Sequence, residues 1–191
     1  VNGSDAVLVD QARKGSTEAY RALVERHAPA VFRLAFHLTS HRSDAEDVVQ
    51  EAFLRAHRAI ANFESRSGFG TWLHRIAKNC AFDLLRKRKR AKDLEDSING
   101  IHAPESEWNL GRRWEPDRPL LDGEFQSVVD GELARMSELE RTAFLLRHVE
   151  GQSTAEISEV LEKSPEATKQ AVFRAVRRLR AALRPHVGAE R

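Results

Sequence analysis

The chain has 191 residues, enough for one large domain or two small ones, and its 41% hydrophobic and 31% charged residues suit a packed core under a highly charged surface rather than a disordered chain. A single cysteine, Cys80, excludes an internal disulfide framework and fits a reducing, cytoplasmic setting. No run reaches the roughly 18 apolar residues of a membrane span, and the first residues lack a basic segment followed by an apolar one, so no membrane contact and no secretory signal are expected. The net charge of +2 conceals blocks of +6 over residues 1–90, −4 over 91–122, −5 over 123–164 and +5 over 165–191, and two separated basic segments point to two contacts with a polyanion.

Ala, Leu, Arg and Glu dominate, which favours helices. A first helix is expected from about Asp5 to Lys14, stopped by Gly15. A second, from about Thr17 to Leu38, places Leu23, Val24, Val31, Leu34, Ala35 and Leu38 on one side, with a kink or break at Pro29. A third starts at Ser43 with a Ser43/Glu46 capping box and repeats Ala45, Val48, Val49, Ala52, Phe53, Ala56 and Ile60 at helical spacing. After a polar loop from Asn62 to Phe69, a fourth runs from about Gly70 to Arg90 on a stripe of Leu73, Ile76, Ala77, Cys80 and Leu84.

Periodicity then disappears from about residue 91 to 122, where Asn99-Gly100, Pro104, Gly111, Pro116 and Pro119 read as an acidic linker containing Trp108 and Trp114. Helices return from about Gly123 to Met136 and from Glu138 to Glu150, ended by Gly151. A Ser153/Glu156 capping box opens a short helix to Leu161. Ser164 then caps a last helix with Pro165 at its first position, stopping before Pro185. The expected fold is all-α, two small helical domains (residues 1–90 and 123–191) joined by a flexible linker (91–122).

Three surfaces carry the functional signal. A short capped helix, a turn and a basic helix make a helix-turn-helix, whose second helix leaves Lys169, Gln170, Phe173, Arg174, Arg177 and Arg178 outside its apolar stripe. Early polar positions of such a helix reach base edges, Phe173 suits a thymine methyl, and the later arginines suit phosphates. An Arg-rich solvated surface helix is the plainer reading. On the Gly70–Arg90 helix, Trp72, Arg75, Asn79, Arg86 and Arg90 fall within about 60° of one another, an aromatic, an amide and three guanidiniums suited to unpaired bases and phosphates, with the run Arg86 to Arg90 adding charge. There too the plain reading, Trp72 in the core and a frayed basic end, stands level. On the third helix Asp47, Gln50, Glu51, Leu54 and Arg58 share a side within about 100°, and an exposed leucine among carboxylates suits a protein partner, although a solvated face with one stray leucine is the commoner case.

The segment DAEDVVQEAF over residues 44–53, followed by FGTWLHRIAKN over 69–79, resembles the second conserved region of extracytoplasmic-function sigma factors of the sigma-70 family, and 139–183 resembles their fourth region. The resemblance implies an alternative sigma factor that binds core RNA polymerase, recognises promoter DNA at the −35 and −10 elements and promotes opening. It implies that Asp47, Gln50, Glu51 and Leu54 dock on the β′ clamp helices, with the β subunit as a further partner. The loop with Phe63 would capture a flipped −10 base, Asn79 would help line that pocket, and Trp72, Arg75 and Arg86 would lie along the melted strand. Lys169, Gln170, Phe173, Arg174 and Arg177 would serve the −35 helix. An anti-sigma factor and a stress signal are the family's usual controls. The family's Gly-Thr-Val-Lys/Arg-Ser-Arg motif reads EATKQA here over 166–171, with Ala171 where a second basic residue is usual. An unusual −35 sequence is therefore expected.

Neither a phosphate-cradling glycine loop, nor metal-ligand spacing among the eight histidines and Cys80, nor an ordered catalytic set is present in the sequence, so no enzyme, metal or cofactor is expected. Two other readings stand beside the sigma factor: a stand-alone helix-turn-helix regulator, which leaves the Asp47–Leu54 face unexplained, and a non-DNA adaptor that mimics a sigma factor, against which the two basic segments count. With about 30 linker residues reaching roughly 100 Å, the two domains can span two turns of DNA, about 70 Å.

Overall fold

A computed structural model describes residues 3–99 and 123–187, and every described element is helical. Helix α1 spans Gly3–Arg13, α2 Thr17–Thr39, α3 Arg42–Ala59, and a single 3₁₀ turn Ile60–Asn62 leads into a loop before α4, Phe69–Asn99. In the C-terminal half α5 spans Gly123–Ala134, α6 Glu138–His148, α7 Thr154–Leu161 and α8 Pro165–Val187. Helices α2, α3 and α4 pack on one another with α1 against α2, and α8 packs across α5, α6 and α7. The fold is thus two helical units, as the periodicity implies.

The caps explain most boundaries. Ser16 accepts from the Ala19 amide at the start of α2, and Gly15 turns the chain with φ +93°, a conformation that favours glycine. Ser137 caps α6, and Ser153 and Glu156 form the reciprocal box at α7. Glu162 closes α7 in the left-handed region, φ 54°, and Ser164 accepts from the Ala167 amide to start α8.

Four expectations are corrected. Helix α3 begins one residue earlier than Ser43, with His41 at the cap position and no side-chain cap; Glu46 pairs instead with Arg42 at 2.9 Å, so the expected box does not form. The buried Asp44 supplies negative charge to that first turn. Helix α2 does not break at Pro29, because Val31, Leu34, Ala35 and Leu38 beyond it are all buried and hold the chain helical. Helix α4 runs on to Asn99, into the segment expected as linker; its residues 91–94 are exposed, and a solvated helix carries no apolar stripe to betray it. Helix α8 likewise passes Pro185 to end at Val187. The remainder of the expected linker, with Trp108 and Trp114, lies outside the described residues.

The two halves touch. Helix α7 lies on α4 and α6 on the end of α2, and the buried side chains of both halves form one contiguous cluster. His74, 6% exposed, sits at this contact with its Nδ1 2.6 Å from the Gln152 Nε2. Burial, then the neighbouring charges of His27 and Arg33, pushes its imidazole down to about 4, with Glu156 opposing. Arg33 in turn carries the Glu150 carboxylate. A histidine held neutral when buried and free to titrate near 6.5 when released contributes its stability above about pH 6.5 and loses it as pH falls toward 4. The thermal midpoint should therefore drop between pH 7 and pH 5, with a slope of up to about 1.4 kcal/mol per pH unit from this group, and His74→Gln should flatten that part of the profile. An unchanged pH profile in His74→Gln, read by circular dichroism melts, would remove His74 as its source.

Candidate nucleic-acid interface

In the C-terminal half the geometry of the helix-turn-helix is set by a buried hydroxyl pair. Ser158 on α7 donates to the Thr154 carbonyl at 2.7 Å and lies 3.0 Å from the hydroxyl of Thr168 on α8. Ser158 has one hydrogen to give, so Thr168 is the donor across the helices. Thr168 is fully buried beside Ala171, Ala175 and Leu179, which form the apolar stripe of α8. The stripe turns Lys169, Gln170, Phe173, Arg174 and Arg177 outward, all exposed, over an arc of about 140°. Phe173 is 63% exposed, a large apolar ring among cations and an amide. Arg178 points back toward Glu132 and Glu140, at 4.0 and 3.9 Å. All five expected −35 residues therefore share one open surface.

In the N-terminal half the expected residues separate into two groups. Asn79 and Arg86 are exposed, and Arg75 is half-buried. Arg86 donates to Asp83 at 2.8 Å, and that contact holds the Asp83 carboxyl below its ordinary range. Asp83 also receives Arg55 at 3.3 Å, and Arg55 bonds Glu51 at 2.6 Å. Arg88, from the basic run, pairs with the buried Asp44. Phe63 and Trp72 are not on this open surface: they are 6% and 9% exposed. Their rings lie 4.7 Å apart, with Phe69 5.7 Å from Trp72 and the Arg13 guanidinium 5.7 Å from the Phe63 ring centre. In this arrangement the three aromatics anchor both ends of the 63–68 loop, leaving Glu64, Ser65 and Arg66 exposed at its crest.

The third surface is the outer side of α3. Asp47, Gln50 and Leu54 are exposed, Leu54 by 44%, and Glu51 is half-buried in its pair with Arg55. The side chains expected to meet a protein partner thus stand together, an apolar anchor rimmed by carboxylates.

Two family models match the chain. Residues 23–91 match the family model described as Sigma-70 region 2, and residues 128–179 match Sigma-70, region 4. The RNA polymerase sigma-H factor of Pseudomonas aeruginosa is 31% identical over 182 residues, covering 95% of this chain and 94% of its own. The chain belongs to the extracytoplasmic-function sigma factors of the sigma-70 family. The ECF RNA polymerase sigma-E factor of Escherichia coli K12 is 33% identical over 174 residues, covering 90% of each chain. Among solved structures, that of CnrH in complex with the cytosolic domain of CnrY superposes with a TM-score of 0.70 at 28% identity, over 95% of this chain and 98% of that one. The sigma factor RpoE bound to the anti-sigma factor NepR from Bartonella quintana shares the fold, with a TM-score of 0.71 at 24% identity over 92% and 100% of the two chains.

This ECF sigma factor accordingly acts with RNA polymerase as an alternative sigma factor. Region 2 takes in α3 and most of α4, and region 4 takes in the helix-turn-helix. Among the described residues no helix is long and apolar enough to cross a membrane.

Several residues that shape the surfaces were not singled out by sequence reasoning. Thr168 was discoverable, since it stands three and seven residues before Ala171 and Ala175 on the same stripe. Asp44 and the contacts joining the halves carry no local signal, whereas Arg55 stands four residues after Glu51, the spacing of a helical ion pair. Thr168→Val should lower the stability of the C-terminal half by about 1 kcal/mol, measured by urea denaturation, because Ser158 keeps its bond to Thr154. A change within error would mean that the hydroxyl pair does not hold the two helices.

Proposed function

We propose that this sigma factor reads two promoter elements with two separate surfaces while a third holds the polymerase. In this reading Lys169, Gln170, Phe173, Arg174 and Arg177 enter the major groove at the −35 element, the first two toward base edges and the arginines toward phosphates. Arg75, Asn79 and Arg86 hold the displaced strand at the −10 element. Phe63 and Trp72 support the 63–68 loop from below and meet a base only when that loop opens. Asp47, Gln50, Glu51 and Leu54 dock on the β′ clamp helices. Residues 1–90 and 123–191 act as the two working domains.

One observation carries the reading. A single chain pairs a helix-turn-helix with Phe173 exposed among cations and a distant helix face with Leu54 exposed among carboxylates. A stand-alone regulator has no use for the second. The duplex contact supplies affinity and register, while capturing unpaired bases offsets an opening cost of a few kcal/mol per flipped base. The work is binding rather than bond-making, so the chain is not an enzyme, and it takes place in the cytoplasm where polymerase and promoter are found. An anti-sigma factor is the expected regulator, in line with the anti-sigma factor NepR bound to the sigma factor RpoE in one of the solved structures.

Run-off transcription with purified core polymerase tests this. The chain should direct initiation at its own promoters. Leu54→Ala should reduce transcript yield at least about tenfold, on the scale of losing a central interface anchor, while leaving the melting curve unchanged. Phe173→Ala should weaken −35-dependent promoters selectively. Full activity of Leu54→Ala would remove the α3 face from polymerase binding.

A further inference from the structure

Helix α1 lies outside the segment matched as region 2, which begins at residue 23, yet it reaches both feet of the 63–68 loop. At the first foot Arg13 donates through Nε to the Ile60 carbonyl at 3.4 Å, and its guanidinium lies 5.7 Å from the Phe63 ring centre. That carbonyl also accepts from the Phe63 amide at 3.1 Å, so Arg13 closes on the turn from which the loop departs. At the second foot Asp5, near the start of α1, accepts from Arg26, and its Oδ2 lies 3.0 Å from His27 Nε2. The His27 ring packs 5.3 Å from that of Phe69. It also stands close enough to Gly70 that a Cβ there would meet its Cε1 at 3.3 Å. Asp5 is itself buried, as are Val9 and Ala12 between the two feet, which fixes α1 in place.

The loop supplies little to hold its own shape. Glu64 and Arg66 pair with each other at 2.6 Å, but both side chains are largely exposed, where such a pair contributes little. Between them Ser65 takes φ 55°, a left-handed conformation that is costly for a residue with a Cβ and persists only where the flanking structure over-determines it. The flanking structure is the aromatic set of Phe63, Phe69 and Trp72, and α1 fastens two of the three: Phe63 directly and Phe69 through His27. From Asp5 to Arg13 is about 12 Å of helix, so one rigid element sets the spacing of the two feet.

We propose that α1 braces the base-reading loop, with Arg13 and Asp5 as positioning residues for −10 selectivity: Arg13 acts on Phe63, and Asp5 acts through His27 on Phe69. The proposal rests on the reading that this loop meets a flipped base at the −10 element. A pocket held in one shape before the base arrives loses less free energy to ordering when the right base enters. It also rejects a wrong base that a mobile loop would accommodate. Cutting either tie therefore costs selectivity. Arg13 is exposed, so its loss opens no cavity in the core.

The test uses the full chain. Without polymerase, hydrogen exchange reports the Phe63 amide at the first foot and, at the second, the Trp72 amide, which donates to the Gly68 carbonyl at 3.1 Å. With core polymerase, a library of one of its promoters randomised across the −10 element reports the ratio of transcripts from the preferred base to those from the other bases at each position. Arg13→Ala should speed exchange at Phe63 several-fold and lower that ratio several-fold at one −10 position, with the melting midpoint unchanged. Arg13→Lys, which keeps a cation over the ring, should restore both. Asp5→Ala should speed exchange at Trp72 and lower the ratio at the same position. A merely structural role would lower yield evenly over the library and leave the ratio alone. An even loss of that kind, or a wild-type profile, in both alanine variants overturns the proposal, and the sigma-factor reading stands as long as the wild-type chain initiates. A lowered ratio that Arg13→Lys does not restore overturns the role given to the guanidinium. A wild-type chain that initiates nowhere overturns the sigma-factor reading, and the brace with it.

Discussion

Helix α4 must bury one side, and its other faces follow from that. Leu73, Ala77, Cys80 and Ala81 are all buried and fall within about 100° of arc, packed on α2 and α3. The opposite arc then holds Arg75, Asn79 and Arg86, and a third arc, with His74 and Lys78, meets α7. Phe69, Trp72 and Phe82 of the same 31-residue helix are buried outside that stripe, so the polar arcs lie between covered positions. Core packing, the exposed polar arc and the domain contact therefore share one element, and a change in any of them is felt by the others.

The basic run that ends the N-terminal charge block is less uniform than its composition. Arg88 is committed to Asp44, a carboxylate that is 2% exposed, and truncating either partner leaves a charge poorly solvated. Arg86 pairs with Asp83 where both side chains are half exposed, 54% and 43%. Such a pair is worth little in water. Arg86 is consequently free to exchange a carboxylate for a phosphate, whereas Arg88 fastens α4 to the start of α3. The same distinction separates Arg177, open on α8, from Arg178, turned toward Glu132 and Glu140.

Much of this was legible in the sequence because it is local. The Ser153/Glu156 box, Ser164 with Pro165, and the 3.6-residue spacing of Ala171, Ala175 and Leu179 place the helix-turn-helix, and the same spacing leaves Phe173 and Leu54 outside. The failures have physical reasons. Ser43 offers a cap that the chain does not use, since Arg42 claims Glu46. The end of α4 is exposed and so lacks the stripe that announces a helix. Trp72 belongs by angle to the polar stripe, but Phe63 and Phe69, brought in by the loop, cover it. The contacts joining the halves were not readable at all: Arg33 and Glu150 are 117 positions apart, and Lys78 and Val160 82 apart. Only the tertiary fold brings such residues together.

The central claim is that one chain engages duplex and unpaired strand at the same promoter while polymerase carries it. Permanganate footprinting on a promoter of this sigma factor, with core polymerase present, tests that most directly. The account predicts reactive thymines in the −10 region, together with protection of the −35 region from DNase I on the same fragment, both lost when either the chain or the polymerase is omitted. Protection at −35 by the chain alone, with no reactive thymines when polymerase is added, would contradict it.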